Sequence, residues 1–394
     1  MVFFDYLSEE QKKDFFYIPP KPFNKYTKRD VLAYCLGATL YMPATRTTIA
    51  EDILSKKHKG LSSLVICLED AIGDKSLEYA NGILESTVEK LFFHIESGKI
   101  SYDDIPLIFI RPRNESHMVS IFERISPYIS VITGFVFPKI TCANARTYFE
   151  SLEKINKGLD TSLYAMPILE TEDFIYHEKR SHSLKYIGEI FEEYKNYILN
   201  IRIGATDFCS LFGIRRNEDT TIYDIAVIRN CIELIINQFL RKGSGFVLSG
   251  PVWEYFSSGE RLLKPQLRLS PFTEHGSFGI KLREKLINKS LDGLIREVLL
   301  DKANGIIGKT IIHPTHIIPV EALYVVSHEE YTDACNIIDN NGGEKGVFKS
   351  SYSNKMNEIK PHLSWAYNII KRSEVYGVFH ENKYFTDLLA EEEI

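Results

Sequence analysis

The sequence predicts an α/β fold, a (β/α)8 TIM barrel with an N-terminal arm and a helical C-terminal extension. Three observations lead there. Short runs rich in Val, Ile, Leu and Phe recur eight times, as strands covered on both faces require. The stretches between them have helical spacing and are long enough for a crossover helix. Most of the runs end in an ionisable residue, the place where such barrels carry their chemistry. A doubly wound open sheet is the alternative, because a count of strands does not establish closure. No G-x-G-x-x-G follows the first run, which argues against a dinucleotide-binding fold.

Composition narrows the class. The 394 residues are 44% hydrophobic and 25% charged, an ordinary globular balance. The net charge of −6 is spread through the chain, so no basic face for nucleic acid is expected. No apolar segment reaches about 18 residues, so no membrane span is expected. Met1-Val2-Phe3-Phe4-Asp5-Tyr6 lacks the basic start and long apolar core of a signal peptide. The six cysteines form no CxxC pair, which indicates neither a zinc site nor a disulfide framework. These features together predict a reduced, cytoplasmic protein.

Residues 1–35 are polar and aromatic, broken by Pro19, Pro20 and Pro22, and read as an arm. The barrel is assigned to 36–318, with strand runs at 38–42, 64–68, 107–110, 132–137, 163–169, 199–203, 246–248 and 306–312. Hydroxyls then acids at 47–52 mark a helix start. Residues 282–300 read as an outer helix packing on the barrel. The charged, tyrosine-rich 176–197 lengthens the connection after the fifth strand and is expected to reach over the site or towards a partner. The Pro- and Gly-containing 264–278 is a candidate mobile lid. Residues 319–394 form the extension, with helices expected at 322–326, 329–338 and from 361. A break stands at Asn340–Gly343 and a polar stretch at 349–360. The acidic tail Glu391-Glu392-Glu393 closes the chain. The extension is expected to pack on its own barrel or on a neighbouring subunit.

The strand ends carry the candidate site. The sixth run ends in Gly204, followed closely by Asp207, and the fifth ends in Glu170. Two oxygen donors on neighbouring strand ends suit Mg²⁺, which keeps several waters; Mn²⁺ is the alternative ion. The plainer reading is that each acid caps the helix after its strand. Glu69 and Asp70, on the second strand, would orient metal-bound waters. Arg111 offers a planar fork to a carboxylate, and Arg46 is a second substrate- or phosphate-binding candidate. Lys139 ends the fourth strand, and Lys309 then His313 end the eighth. An ion-pair ring involving Glu69, Lys75 and Arg46 is the structural alternative, and His313 is expected to be a core histidine. A metal held against a 2-oxo acid would stabilise the enolate formed as a C–C bond breaks or forms.

The same residues carry a resemblance. Tyr41-Met42-Pro43-Ala44-Thr45-Arg46, Leu68-Glu69-Asp70-Ala71 with Lys75, Ile110-Arg111, Phe137-Pro138-Lys139, Ile168-Leu169-Glu170-Thr171, Gly204-Ala205-Thr206-Asp207-Phe208 and Gly308-Lys309 with His313-Pro314 occur in order. The chain resembles the HpcH/HpaI aldolase and citrate lyase beta-subunit-like family over roughly 38–335. With Gly346–Ser350 and Asn354–His362 included, it is similar to the C–C bond lyase branch found in tellurium-resistance and stress-response gene clusters. The resemblance implies a Mg²⁺-dependent lyase or aldolase acting on a 2-oxo or 3-hydroxy acid, as a homo-oligomer, usually a trimer or hexamer. It implies metal binding by Glu170 and Asp207 and substrate binding by Arg111. It also implies an acid from an adjacent subunit's C-terminal segment, where Glu358 stands. Cys67 departs from the family's usual Asp, and His316 stands near its usual Gln. The surface that would recognise CoA is therefore not carried over, and a CoA thioester is not assigned as substrate.

The expected catalytic set is Arg111, Glu69, Asp70 and Glu358. Substrate binding falls to Arg46, Arg111 and Lys139, and the metal to Glu170 and Asp207. A non-catalytic barrel binding a metabolite or partner in a stress-response system is the alternative function. Phosphoenolpyruvate or phosphate-ester chemistry at Arg46 or Lys309 is a third.

Overall fold

Eight parallel strands close into a ring. After a short strand β1 (Phe16–Ile18), the barrel strands are β2 (Ala38–Pro43), β3 (Ser63–Cys67), β4 (Leu107–Arg111), β5 (Gly134–Phe137), β6 (Tyr164–Leu169), β7 (Ile201–Ile203), β8 (Leu248–Trp253) and β9 (Lys309–Ile311). They follow chain order round the barrel. β9 pairs back on β2, with Ala38 opposite Lys309, so no strand edge is left open and the open-sheet alternative is removed. All five residues of β3 and of β4 are buried, as strands with side chains inside and helices outside must be. This computed structural model describes residues 1–256, 289–343 and 346–391. The expected lid at 264–278 lies outside them, as do part of 282–300 and the end of the acidic tail.

Seven strands fall on their apolar runs, and the seventh shifts towards the C-terminus. Ser249-Gly250-Pro251 looks like a turn by composition but lies inside β8. A Cβ on Gly250 would come within 2.3 Å of Asp301 Oδ2, so glycine lets the outer helix Lys289–Ala303 press against the strand. The register with β9 slips between Gly250 and Trp253, across Pro251, which has no N–H to donate.

The tyrosine-rich 176–197 stretch does not reach over the mouth. It is the crossover helix His177–Glu193, burying Leu184, Ile187, Ile190 and Phe191 on the barrel wall. Its exposed face carries the charges that made it look like an insertion. At the helix Ile49–Leu54, Thr48 makes no side-chain cap bond. Its hydroxyl accepts from Arg46 and donates to Asp52 instead.

The extension supplies the helices Ile317–Tyr324, His328–Asp339 and Ile359–Tyr376. Between the last two lies a hairpin of β10 (Val347–Lys349) and β11 (Met356–Glu358). Sequence reading gives no strand there, because most of the ribbon's side chains face solvent and no apolar alternation is needed. Asp333 fixes it by accepting from Ser350 and Asn357, each at 2.8 Å. β12 (Val378–Phe379) pairs antiparallel with β1. The Phe16 and Phe379 rings stack there, and Phe3 meets Tyr376 at 4.5 Å. Arm, barrel and the ends of the extension thus share one apolar core, while the helices His328–Asp339 and Ile359–Tyr376 pack around a second, smaller one. No helix among the described residues is long and apolar enough to cross a membrane.

Candidate active site

The C-terminal ends of five neighbouring strands build one cluster. Glu69 and Asp70 follow β3, Arg111 ends β4, Lys139 follows β5, Glu170 follows β6, and Asp207 follows β7 after Gly204. Neither metal candidate is a helix cap. The helices after β6 and β7 have Thr171 and Gly204 at their N-caps, with no side-chain cap bond. The plainer reading of the two acids therefore fails.

Glu170 is the anchor, its side chain only 2% exposed. It accepts from the Lys139 backbone N–H at 2.7 Å and from Arg111 Nη2 at 3.3 Å. Lys139 adopts a left-handed φ of 49°, an unfavourable conformation for a side-chain-bearing residue. Gly204 makes the room: a Cβ there would lie 2.3 Å from Glu170 Cβ and 2.5 Å from its Oε2. Arg111 Nη2 also reaches Glu69 at 2.8 Å and Asp70 at 3.1 Å. The Lys139 ammonium bonds Asp207 and lies 3.9 Å from both Glu170 and Asp70. Cys67 stands level with Arg111 across the β3–β4 pair, so the family's Asp is replaced beside the guanidinium by a thiol.

Crowding shifts the acids. Burial pushes Glu170 up to about 7, with Arg111 pulling against it and Asp207 adding to it. Burial and a hydrogen bond with Asp70 push Glu69 up to about 7 as well. Asp70 stays below the usual carboxylate range: its burial is outweighed by the bond to Glu69 and the charge of Arg111. Glu69 therefore takes up a proton near neutral pH while Asp70 beside it stays ionised. Lys139 is held above its ordinary value, its partial burial outweighed by Glu170 and Asp207.

The donor set suits a hard cation. Among the described residues, no three His, Cys, Asp or Glu side chains form a ready metal cage. Mg²⁺ does not need one, since one or two carboxylates plus water suffice. The Lys139 ammonium marks where a positive charge is stabilised, against Asp207 and near Glu170 and Asp70. Lys139 thus sits with the acids rather than standing free for substrate.

Five other residues lie elsewhere. Arg46 pairs with Asp52 at 2.5 Å and is not part of the pocket wall. Glu358 lies exposed on the hairpin, its backbone N–H bonded to His362, away from the pocket of its own chain. Lys309 does not reach the rim: it starts β9, is fully buried, and bonds Glu297 and Asp301 at 2.7 Å each. The phosphate reading loses that residue. His313 stacks on Phe256 at 4.5 Å, and His316 is buried, with burial pushing it down to about 4 and keeping it neutral.

The cluster opens on a pocket of about 220 Å³. Its floor holds a residue that sequence reading passed over. Arg202, in the centre of β7, is 1% exposed and points into the barrel. It donates to Thr310 Oγ1 at 2.6 Å, and its guanidinium lies 5.7 Å from the centre of the Tyr41 ring. The signal was a charged residue amid the otherwise apolar Ile201-Arg202-Ile203.

Comparisons with known proteins bear on the family and the fold. A family described as C–C bond lyase of the TIM-barrel fold matches residues 30–378. No curated protein matches the chain. Among solved structures, a citrate lyase from Burkholderia xenovorans aligns with a TM-score of 0.60 at 12% identity, covering 90% of this chain and 95% of that one. The protein CitE from Mycobacterium tuberculosis, in complex with magnesium, acetoacetate and coenzyme A, aligns with a TM-score of 0.51 at 16% identity, covering 86% and 97%. At such identities the likeness is one of fold.

Proposed function

The chain belongs to the C–C bond lyase family of TIM-barrel fold, and from that premise we propose that it is a Mg²⁺-dependent carbon–carbon lyase or aldolase of a small 2-oxo or 3-hydroxy acid. One observation carries the reading: Glu170 and Asp207, from different strands, meet around a single cation position beside Arg111. Glu170 and Asp207 would hold the ion, and Glu69 and Asp70 would orient its waters. A divalent ion there supplies stabilisation for the negative charge that develops on a carbonyl oxygen when the adjacent C–C bond breaks. Mn²⁺ is the alternative ion.

Arg111 binds and orients the substrate carboxylate. It is already fixed by three acids, and its buried Nε has no partner within the protein. The Glu69–Asp70 pair holds a proton near neutral pH beside that guanidinium and can pass it to or from the substrate. The solved M. tuberculosis relative, with magnesium and acetoacetate, supports a small acid as ligand. Its coenzyme A is not transferred to this chain. We assign Glu358 as an acid delivered from a neighbouring subunit of a homo-oligomer, a trimer or hexamer, on the family resemblance and on its exposure. The link to tellurium-resistance clusters rests on the same resemblance.

The test is calorimetric Mg²⁺ titration and turnover over a panel of 2-oxo acids, 3-hydroxy acids and acyl-CoA thioesters. Glu170→Gln with Asp207→Asn should abolish both Mg²⁺ binding and turnover. Undiminished turnover in a folded double variant overturns the reading. The Lys139–Asp207 pair favours a second reading, a metal-free barrel with lysine as resident counter-ion that binds a metabolite or partner without consuming it. Its signature is acid binding by the wild-type chain with no Mg²⁺ dependence and no product.

A further inference from the structure

The pocket holds two guanidinium groups with opposite surroundings. Arg111 touches Glu69, Asp70 and Glu170, so the protein itself balances its charge. No carboxylate among the described residues lies within 4 Å of Arg202, whose polar contacts are neutral. Nη2 donates to Thr310 at 2.6 Å and Nη1 to Thr39 at 3.4 Å, while Met166 Sδ lies at 3.8 Å. Its Nε, also buried, has no partner. A buried charge without a counter-charge is unfavourable, and proteins retain one mainly where a ligand completes it. Surface screening cannot relieve it here, since the residue is 1% exposed.

Register places Arg202 below the acids. Arg202 stands opposite Ile168 on β6, two residues before Glu170, and it is the middle residue of β7, ahead of Gly204 and Asp207. A molecule held at the mouth by Glu170, Asp207 and Arg111 therefore has its far end directed at Arg202. The remaining wall there, Ile168, Val252 and Ile312, cannot neutralise a charge.

We propose that Arg202 is the floor anchor for a second carboxylate, so that the substrate is a short dicarboxylic acid with one acid end at the mouth and the other on this guanidinium. The assignment deepens the lyase reading and rests on it for the mouth end alone. A planar fork fits a carboxylate with paired hydrogen bonds, and a neutral methyl or thioester end would leave the charge unmet. The small cavity limits the span to a few carbons.

The experiment compares oxaloacetate with 2-oxobutyrate, which carries a methyl group where oxaloacetate has its distal carboxylate. Binding to the full chain is measured calorimetrically with Mg²⁺. The wild-type chain should prefer oxaloacetate by at least about tenfold, the scale of one charge-assisted pair. In Arg202→Met the preference should collapse towards one, with 2-oxobutyrate affinity within about threefold of wild type. Should that variant fail to fold, Arg202→Lys keeps the charge without the fork and must still cut the preference. No preference in the wild-type chain, or an unchanged one in a folded Arg202 variant, overturns the proposal while leaving the metal site intact. If Mg²⁺ promotes binding of neither acid, the lyase reading fails separately. Succinate titrated in EDTA then decides the floor site: binding weakened by the Arg202 change keeps it, and no binding overturns it.

Discussion

Gly204→Ala is the most economical perturbation of the metal site, because it adds one methyl group and no charge. The backbone at Gly204 has φ −93°, which any residue accepts, so no conformational strain confuses the result. The new Cβ would lie 2.3 Å from Glu170 Cβ, about 1 Å inside the 3.4 Å at which ordinary contact begins. The obstacle is the root of the side chain rather than its tip, so rotation alone cannot clear it. Glu170 must retreat by about 1 Å, away from the Lys139 N–H at 2.7 Å and Arg111 at 3.3 Å. Misplacement of this size around a metal site weakens binding roughly 10- to 100-fold. Overpacking of a filled interior costs about 1–3 kcal/mol. Magnesium titration by calorimetry and a thermal melt read the two effects separately. Gly73→Ala, on the loop after β3 with nothing within 4 Å of its Cβ, is the control and should change neither. A folded Gly204→Ala protein that binds Mg²⁺ as tightly as wild type would refute the assignment of Glu170 as a ligand.

Three further outcomes are expected. Lys139→Met removes the cation that competes for Asp207, so Mg²⁺ affinity should rise about tenfold by calorimetry. Lys309→Met leaves Asp301 without an ion partner among the described residues and Glu297 with Arg216 alone, and should cost roughly 3–5 kcal/mol in chemical denaturation, with Mg²⁺ affinity of the folded fraction unchanged. Glu330 is held down to about 2: its burial is outweighed by Arg372, at 2.9 Å, and by Lys302. Its folded value lies below the unfolded one, so its contribution is complete above about pH 4.5 and is lost as pH falls towards 2. With the side chain 26% exposed, about 2 kcal/mol is at stake. Denaturation midpoints should fall between pH 5 and pH 3 by less in Glu330→Gln than in wild type.

Much of the site was legible because strand ends announce themselves. An apolar run ending in an acid or a basic residue names a position on the mouth whatever the strand's exact limits. Glu69, Asp70, Arg111, Lys139, Glu170 and Asp207 were all found that way. The hairpin bearing Glu358 was not legible, since a ribbon held by Asp333 needs no apolar alternation. The shifted β8 was missed because Gly250 and Pro251 serve a close helix approach there rather than a turn.

Lys309 and Arg202 show a deeper limit, which is the parity of a strand. Thr39 and Thr310 stand opposite each other across the β2–β9 pair, and both hydroxyls touch Arg202, so both face the barrel interior. Side chains alternate along a strand, so the preceding pair, Ala38 and Lys309, must face outwards. Outwards lies the helix Lys289–Ala303, and there Glu297 and Asp301 meet the lysine. A one-residue change of parity would send Lys309 into the barrel, leaving Asp301 without an ion partner among the described residues and Glu297 with Arg216 alone. In a sheet with one wet face, the apolar–polar alternation reveals parity. In a barrel strand buried on both faces nothing in the pattern does, and only the charge partners on the outer helix decide it. The basic residue read as pointing into the site therefore braces the helix layer, and the one passed over as part of an apolar run lies on the pocket floor.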